Sequence, residues 1–270
     1  MARAFIFNFT ILSCLYSLSF SQNTKPLDDN IYASLSLLIA KPQGDFSKHV
    51  SNNGYGLDID GGYRLGRSPF AIGLSLAFAT YGRLERKIPF SYFSDSVKLT
   101  ETTESKIMML DPYVKASLYL TRNLSLYIKG FGGYQFLNTS TTLKNDDQVK
   151  GGGDNTDEPY IAKSDVFKDG AFNYGYGIGM RVPIPFVSGK GKKPVINIEC
   201  KWSTGGEAEY LNAGKDGSIK FSNPADGPVT TSYFPEKSKT DLFAISIGVG
   251  IWLPSQAITY KFVMDVFSIT

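Results

Sequence analysis

Along most of this chain apolar residues occupy every second position, in segments of roughly ten to fourteen residues, which is the period of a β-strand. The first segment, about 31–40, sets Ile31, Ala33, Leu35, Leu37 and Ile39 against Tyr32, Ser34 and Ser36. The second, about 54–66, is the most diagnostic. Tyr55, Leu57, Ile59, Tyr63 and Leu65 form one face, while Asp58, Asp60 and Arg64 fall on the other. The same alternation predicts strands over about 70–81, 107–120, 124–137, 170–184, 194–204 and 240–253. After residue 21 no window holds 18 apolar residues, which excludes a helical membrane protein.

The links between these segments alternate in length. Gly66–Pro69, Thr121–Asn123 and Pro185–Lys193 are short, whereas about 41–53, 82–106, 138–169 and 205–239 are long. A transmembrane barrel has this order, with short turns on the periplasmic side and long loops outside. The expected fold is therefore all-β: a transmembrane antiparallel up-and-down β-barrel of about eight strands with long extracellular loops, in the cell outer membrane. Its apolar faces would meet lipid. Gly73, Ser75, Ala77, Gly175, Gly177, Gly248 and Gly250 crowd the polar faces, as a narrow lumen requires. Tyr55, Phe70, Phe136, Phe172 and Trp202, near strand ends, suit interfacial girdles.

The first 21 residues read as a cleaved export signal. Arg3 follows the start, an apolar stretch runs through Leu18, and Ser19-Phe20-Ser21 supplies small residues at a cleavage site. Ile11-Leu12-Ser13-Cys14 loosely matches a lipoprotein box, although the apolar run continues past Cys14, which is wrong for acylation there. Residues 22–30 would then be a periplasmic N-terminal segment and 31–253 the barrel. Residues 254–270 would be a C-terminal extension or, because Ile258, Tyr260, Phe262, Met264 and Val266 also alternate, the closing strand.

Composition narrows the chemistry. An aromatic content of 14% and 27 glycines suit strands and turns better than helices. A net charge of +3 gives no nucleic-acid footprint. Past the leader only Cys200 remains, and His49 is the sole histidine. A disulfide framework, a CxxC pair and most histidine-based metal sites are thereby excluded.

Pro42-Gln43-Gly44-Asp45-Phe46-Ser47 followed by Gly54-Tyr55-Gly56-Leu57 resembles the small outer-membrane β-barrel family often labelled "porin family" in Bacteroidota-type bacteria. Phe20-Ser21-Gln22, Leu110-Asp111-Pro112-Tyr113 and Ile247-Gly248-Val249-Gly250 match it as well. In form the chain also resembles the OmpA/OmpX-type barrel. The resemblance implies an architecture and no activity. Members often end on an aromatic residue of the last strand, whereas here Trp252-Leu253 is followed by Pro254 and a tail.

The polar faces carry Asp58, Asp60, Arg64, Asp111, Lys115, Lys129, Arg181, Glu199 and Lys201. These would either line an ion path or pair with one another and fill the lumen. Eight strands leave room for little more than side chains, and unpaired buried charges are costly, so pairing is expected. The expected role is structural or interactive, in adhesion or envelope integrity through the surface loops, with a narrow porin-like channel for ions or small solutes as the alternative. Outer-membrane lipid and lipopolysaccharide are the expected partners, with an extracellular ligand on the long loops. Arg83, Arg86 and Lys87 are candidates for lipopolysaccharide phosphates. Asp146, Asp147, Asp154, Asp157 and Glu158 surround three glycines but match no calcium-loop spacing. His49 lies near Asp45 and Ser47 on a loop without a rigid frame, and no phosphate-cradling motif is present. Neither enzymatic activity nor a cofactor is expected.

Overall fold

A spanning strand must have every backbone group paired within the protein, so segments of this kind have to close on themselves. In the computed structural model, which describes residues 29–66, 68–91, 94–121, 124–145, 160–184, 193–214, 219–221 and 231–254, they do. Strands β1 (Asp29–Pro42), β2 (Gly54–Arg64), β3 (Phe70–Ser91), β4 (Ser94–Thr121), β5 (Leu124–Asn145), β6 (Tyr160–Pro183) and β7 (Lys193–Gly205) pair in sequence. Short strands β8 (Glu207–Tyr210), β9 (Ile219–Phe221), β10 (Thr231–Tyr233) and β11 (Glu236–Lys239) follow outside the ring. The last barrel strand, β12 (Leu242–Pro254), closes antiparallel onto β1. Closure thus falls to β12; residues 255–270 and the expected export signal lie outside the described residues.

The register fixes the shape. One rung of paired residues runs from Ile178 through Cys200, Ile245, Ile39, Tyr55, Thr80, Lys106 and Asn138 and returns to β6 at Lys168, ten residues from its start. For eight strands this stagger implies a tilt of about 40° and a backbone radius of about 8 Å. A cylinder that narrow leaves an interior just wide enough for side chains.

Alternation sorts the faces as the sequence requires. Leu35, Leu37, Ile39, Leu57, Ile59, Ile72, Leu74, Ile128, Ile178, Ile247 and Val249 are exposed, and Ser34, Ser36, Asp58, Asp60, Ser75 and Ser246 are buried. Outward residues stay apolar from Tyr55 to Leu65, a tilted run of about 25 Å, which matches the hydrocarbon band of an outer membrane. Tyr134 meets Phe172 at 5.1 Å, and Trp202 touches both Tyr176 (5.2 Å) and Phe243 (5.0 Å), forming the outer aromatic girdle. The first periplasmic turn is tight because Gly66 takes φ +57, a conformation that favours glycine, while Leu65 N–H donates to Phe70 C=O at 2.9 Å.

Two expected loops are largely strand. The link expected over 82–106 is a hairpin in which β3 and β4 stay paired up to Ser91 and Ser94. Likewise β5 and β6 stay paired from 138 and 168 out to Lys144 and Tyr160. Strands β3 to β6 therefore rise past the membrane as a four-stranded sheet. Bulges at Thr80/Gly82 and at Thr139/Ser140 mark where it leaves the ring. No hydrophobic period marks these extensions.

Candidate functional site: a filled lumen and its cap

All nine expected lumen residues point inward and are buried, and the stagger stacks them in three tiers. In the middle tier Asp60 accepts from Tyr113 Oη at 2.7 Å and faces Lys115 at 3.3 Å and Lys129 at 3.4 Å. Lys129 bridges onward to Glu199 at 2.5 Å, and Glu199 also accepts from Tyr127 Oη at 2.7 Å. In the tier toward the outside, Asp111 pairs with Lys201 and accepts from Asn173 Nδ2 at 2.9 Å, while Asp58 accepts from Ser75 Oγ at 2.9 Å. Toward the periplasm, Arg64 lies over the Trp252 ring (4.3 Å), and Arg181 lies over Tyr32 (4.0 Å) and Tyr127 (4.6 Å). Lys115 and Lys129 are only 2% and 1% exposed, so their charges depend on these carboxylates and ring faces.

The tiers explain why this lumen tolerates charge. A buried ion is costly unless it is paired and its remaining donors are satisfied, and shared carboxylates such as Asp60 serve two lysines at once. Tyr32, Tyr113, Tyr127, Phe131 and Trp252, which charge alone does not single out, line the same space. The parity that places Asp60 inward also places Tyr32, Tyr113 and Tyr127 there, so the signal was present.

A second layer closes the outer mouth. Helix α1 (Phe46–His49) inserts Phe46, fully buried, edge-on to Tyr210 at 4.9 Å and Tyr81 at 5.7 Å. Beneath the rising sheet, residues 206–214 cross the opening with Leu211 and Ala213 fully buried. The Leu211 carbonyl accepts from Ser105 Oγ (2.8 Å), Tyr81 Oη (3.3 Å) and Thr139 Oγ1 (3.3 Å), and Ala213 N–H donates to Ser105 Oγ at 3.1 Å. Asn212 Nδ2 donates to the His49 carbonyl at 2.8 Å, and Gln135 Nε2 donates to Thr240 Oγ1. Burial raises the pKa of the Tyr210 hydroxyl above its ordinary range. Ser105→Ala is expected to loosen the cap by about 1 kcal/mol, so that proteolysis within 206–214 on intact cells speeds up about five-fold while the barrel stays folded. An unchanged cleavage rate would mean that the segment is not anchored there.

The loop candidates separate. Ser47 Oγ donates to the Gly44 carbonyl (2.7 Å), and Asp45 pairs with Lys48 (2.7 Å). The hydrogen bond and charge of Lys48 draw the Asp45 carboxyl below its usual range. His49 faces Glu236 at 3.2 Å. Ser47, His49 and Asp45 thus each have another partner. Among the described residues no three His, Cys, Asp or Glu side chains are placed to hold a metal ion; the carboxylates of 146–158 lie outside those residues. Arg83 is exposed and pairs with Glu85 at 3.2 Å, and Lys87 is exposed on the same face. Arg86 turns to the opposite face against Glu101, because a strand places neighbouring side chains on opposite sides.

Residues 10–227 match the model of the outer membrane protein beta-barrel domain family. No curated protein matches the chain in sequence. Among solved structures it is similar to Ail, the attachment invasion locus protein of Yersinia pestis, at 12% identity and a TM-score of 0.35, covering 83% of this chain and 96% of that one. It is similar also to Neisserial surface protein A at 10% identity and a TM-score of 0.31, covering 83% and 96%. The N-terminal β-barrel domain of Pseudomonas aeruginosa OprF gives 12% identity and a TM-score of 0.26, covering 83% and 97%.

Proposed function

Because the chain belongs to the outer membrane protein beta-barrel domain family and so resides in the outer membrane, we propose that it is a closed, non-conducting barrel that holds an extracellular sheet as an interaction surface, serving adhesion or envelope integrity. The observation that carries this reading is double closure: two tiers of ion pairs and a third of arginines stacked on aromatic rings fill the lumen, and Phe46, Tyr210 and Leu211 seal its outer mouth. The rising part of β3 to β6 is the largest ordered feature beyond the membrane among the described residues. Just outside the aromatic girdle the outward face turns polar, with Lys106 and Lys168 exposed on the rung that follows Thr80. That edge suits the phosphates of outer-leaflet lipopolysaccharide, and Arg83 and Lys87 extend it.

Reconstitution into planar bilayers tests the closed reading. The expected result is silence across applied voltages; steady single-channel steps would overturn it in favour of a narrow channel. Complementation tests the surface role. A variant that joins Gly82 directly to Ser105, removing the outer hairpin, should fold yet fail to restore adhesion or envelope resistance in cells lacking the protein. Full restoration would place the role in the barrel itself.

A further inference from the structure

We propose that the outward face of β2 to β6 holds one phosphorylated glycolipid of the outer leaflet, with an acyl chain laid in an oblique groove and a phosphate taken by Lys106 and Lys168. The inference rests on the lipopolysaccharide edge described above and deepens it, because a general lipid contact becomes one saturable site.

The groove lies between two rows of outward side chains. Tyr55, Thr80, Lys106, Asn138 and Lys168 form the upper row, standing in register from β2 to β6. Leu57, Phe78, Met108 and Phe136 form the lower row, one outward position nearer the periplasm on each strand. Together they line a space of about 780 Å³, within the range of sites that hold a single small ligand.

The stagger of the barrel tilts these rows. From Tyr55 the register crosses β3, β4 and β5 before it reaches Lys168. At a strand spacing of about 4.8 Å and an inclination of about 40°, Lys168 lies about 12 Å farther from the periplasm than Tyr55. Tyr55 marks the upper end of the apolar run on β2, so the groove begins inside the hydrocarbon at Leu57 and Phe78 and ends in the headgroup layer at Lys168. A water-soluble ligand does not reach the lower end. A lipid supplies an acyl chain there and its headgroup at the lysines.

The upper end has matching chemistry. Among the described residues, Lys106 and Lys168 are the cations that line the groove. The acid on its lining, Asp169, already accepts from the Glu209 N–H at 2.7 Å. Lys106 pairs with Glu104 at 2.6 Å and Lys168 with Asp165 at 2.7 Å, but neither carboxylate lines the groove. Exposed pairs of this kind are worth no more than about 1 kcal/mol, so they yield to a phosphate that bonds both lysines at once. Only Asn138 stands between the two lysines in register. That places their backbones about 10 Å apart, and both side chains reach one phosphate.

Native mass spectrometry of the detergent-solubilised protein, titrated with diphosphoryl lipid A, reads the site. One lipid should bind saturably, and the same lipid stripped of its phosphates should bind about ten-fold or more weakly. Lys106→Gln, Lys168→Gln and the groove-filling Thr80→Trp should each raise the dissociation constant about ten-fold. The heat-dependent shift in gel mobility shows which variants are folded. Binding that does not saturate, equal affinity for the dephosphorylated lipid, or unchanged affinity in the folded variants would overturn the proposal. A protein dimer broken by Thr80→Trp would give the groove to a second copy of the chain and overturn it as well. A steady bilayer current with one lipid bound would overturn the closed-barrel reading and leave the groove standing; silence without saturable binding would do the reverse.

Discussion

Asp60→Ala is expected to lower the unfolding free energy of the barrel by about 3–5 kcal/mol, the range found when one member of a buried ion pair is removed. Asp60 is the carboxylate shared by Lys115 and Lys129 and the acceptor for Tyr113. Its loss takes the paired carboxylate from Lys115 and leaves Lys129 with Glu199 alone, both ammonium groups being buried, at 2% and 1% exposed. Urea unfolding in lipid vesicles, followed by the shift between folded and unfolded gel mobility, gives the number. If the lumen were instead a hydrated path, the same pairs would behave as exposed ones, each worth no more than about 1 kcal/mol. A loss within that smaller range would therefore favour the channel. Asp60→Asn should fall between the two, because an amide still accepts from Tyr113 but carries no charge.

The second large effect lies on the other side of the wall. Leu74 is 48% exposed, facing outward between Phe70 and Phe78 on β3. Leu74→Arg should cost about 2–4 kcal/mol if the residue sits near the bilayer midplane, and less if it sits nearer an interface. Its neighbour Ser75 is fully buried and donates to Asp58. Ser75→Arg should also destabilise, but through crowding and added positive charge in the lumen, and so independently of bilayer thickness. Ser51→Arg, on an exposed loop, should change stability by no more than about 0.5 kcal/mol. Measuring the three in thin and thick bilayers separates the causes: only the Leu74 variant should respond to thickness.

Much of the barrel was legible because the membrane imposes a strict code. On β2 the order Leu57, Asp58, Ile59, Asp60 can be satisfied only if one flank meets hydrocarbon and the other an interior. The code stops at the membrane surface. Arg83, Glu85 and Lys87 on β3, and Thr100, Thr102 and Thr103 on β4, belong to a sheet whose strands carry polar residues on both faces. With no apolar period to betray them, they read as loop. The same lack of period hid the side on which Arg86 falls.

The lumen was legible in membership and not in partnership. Parity along each strand identified Asp60, Lys115, Lys129 and Glu199 as inward, but their sequence separations say nothing about height in the barrel. Height follows from the ten-residue stagger, which depends on the register of every strand pair. The cap was the least visible part. Leu211 and Ala213 sit in a stretch with no strand signal, and they are buried only because Ser105, Tyr81 and Thr139 from distant strands converge on one carbonyl.

The two tryptophans of the chain allow the central claim to be measured directly. Trp202 faces outward and is 38% exposed among Tyr176 and Phe243, whereas Trp252, 9% exposed, lies beneath Arg64 inside the barrel. In vesicles of brominated lipid, the fluorescence of a Trp252→Phe variant, which retains only Trp202, should be strongly quenched. A Trp202→Phe variant, which retains only Trp252, should be nearly unaffected. Equal quenching of both, or stronger quenching of Trp252, would contradict a barrel with lipid on one flank of each strand and a packed interior on the other.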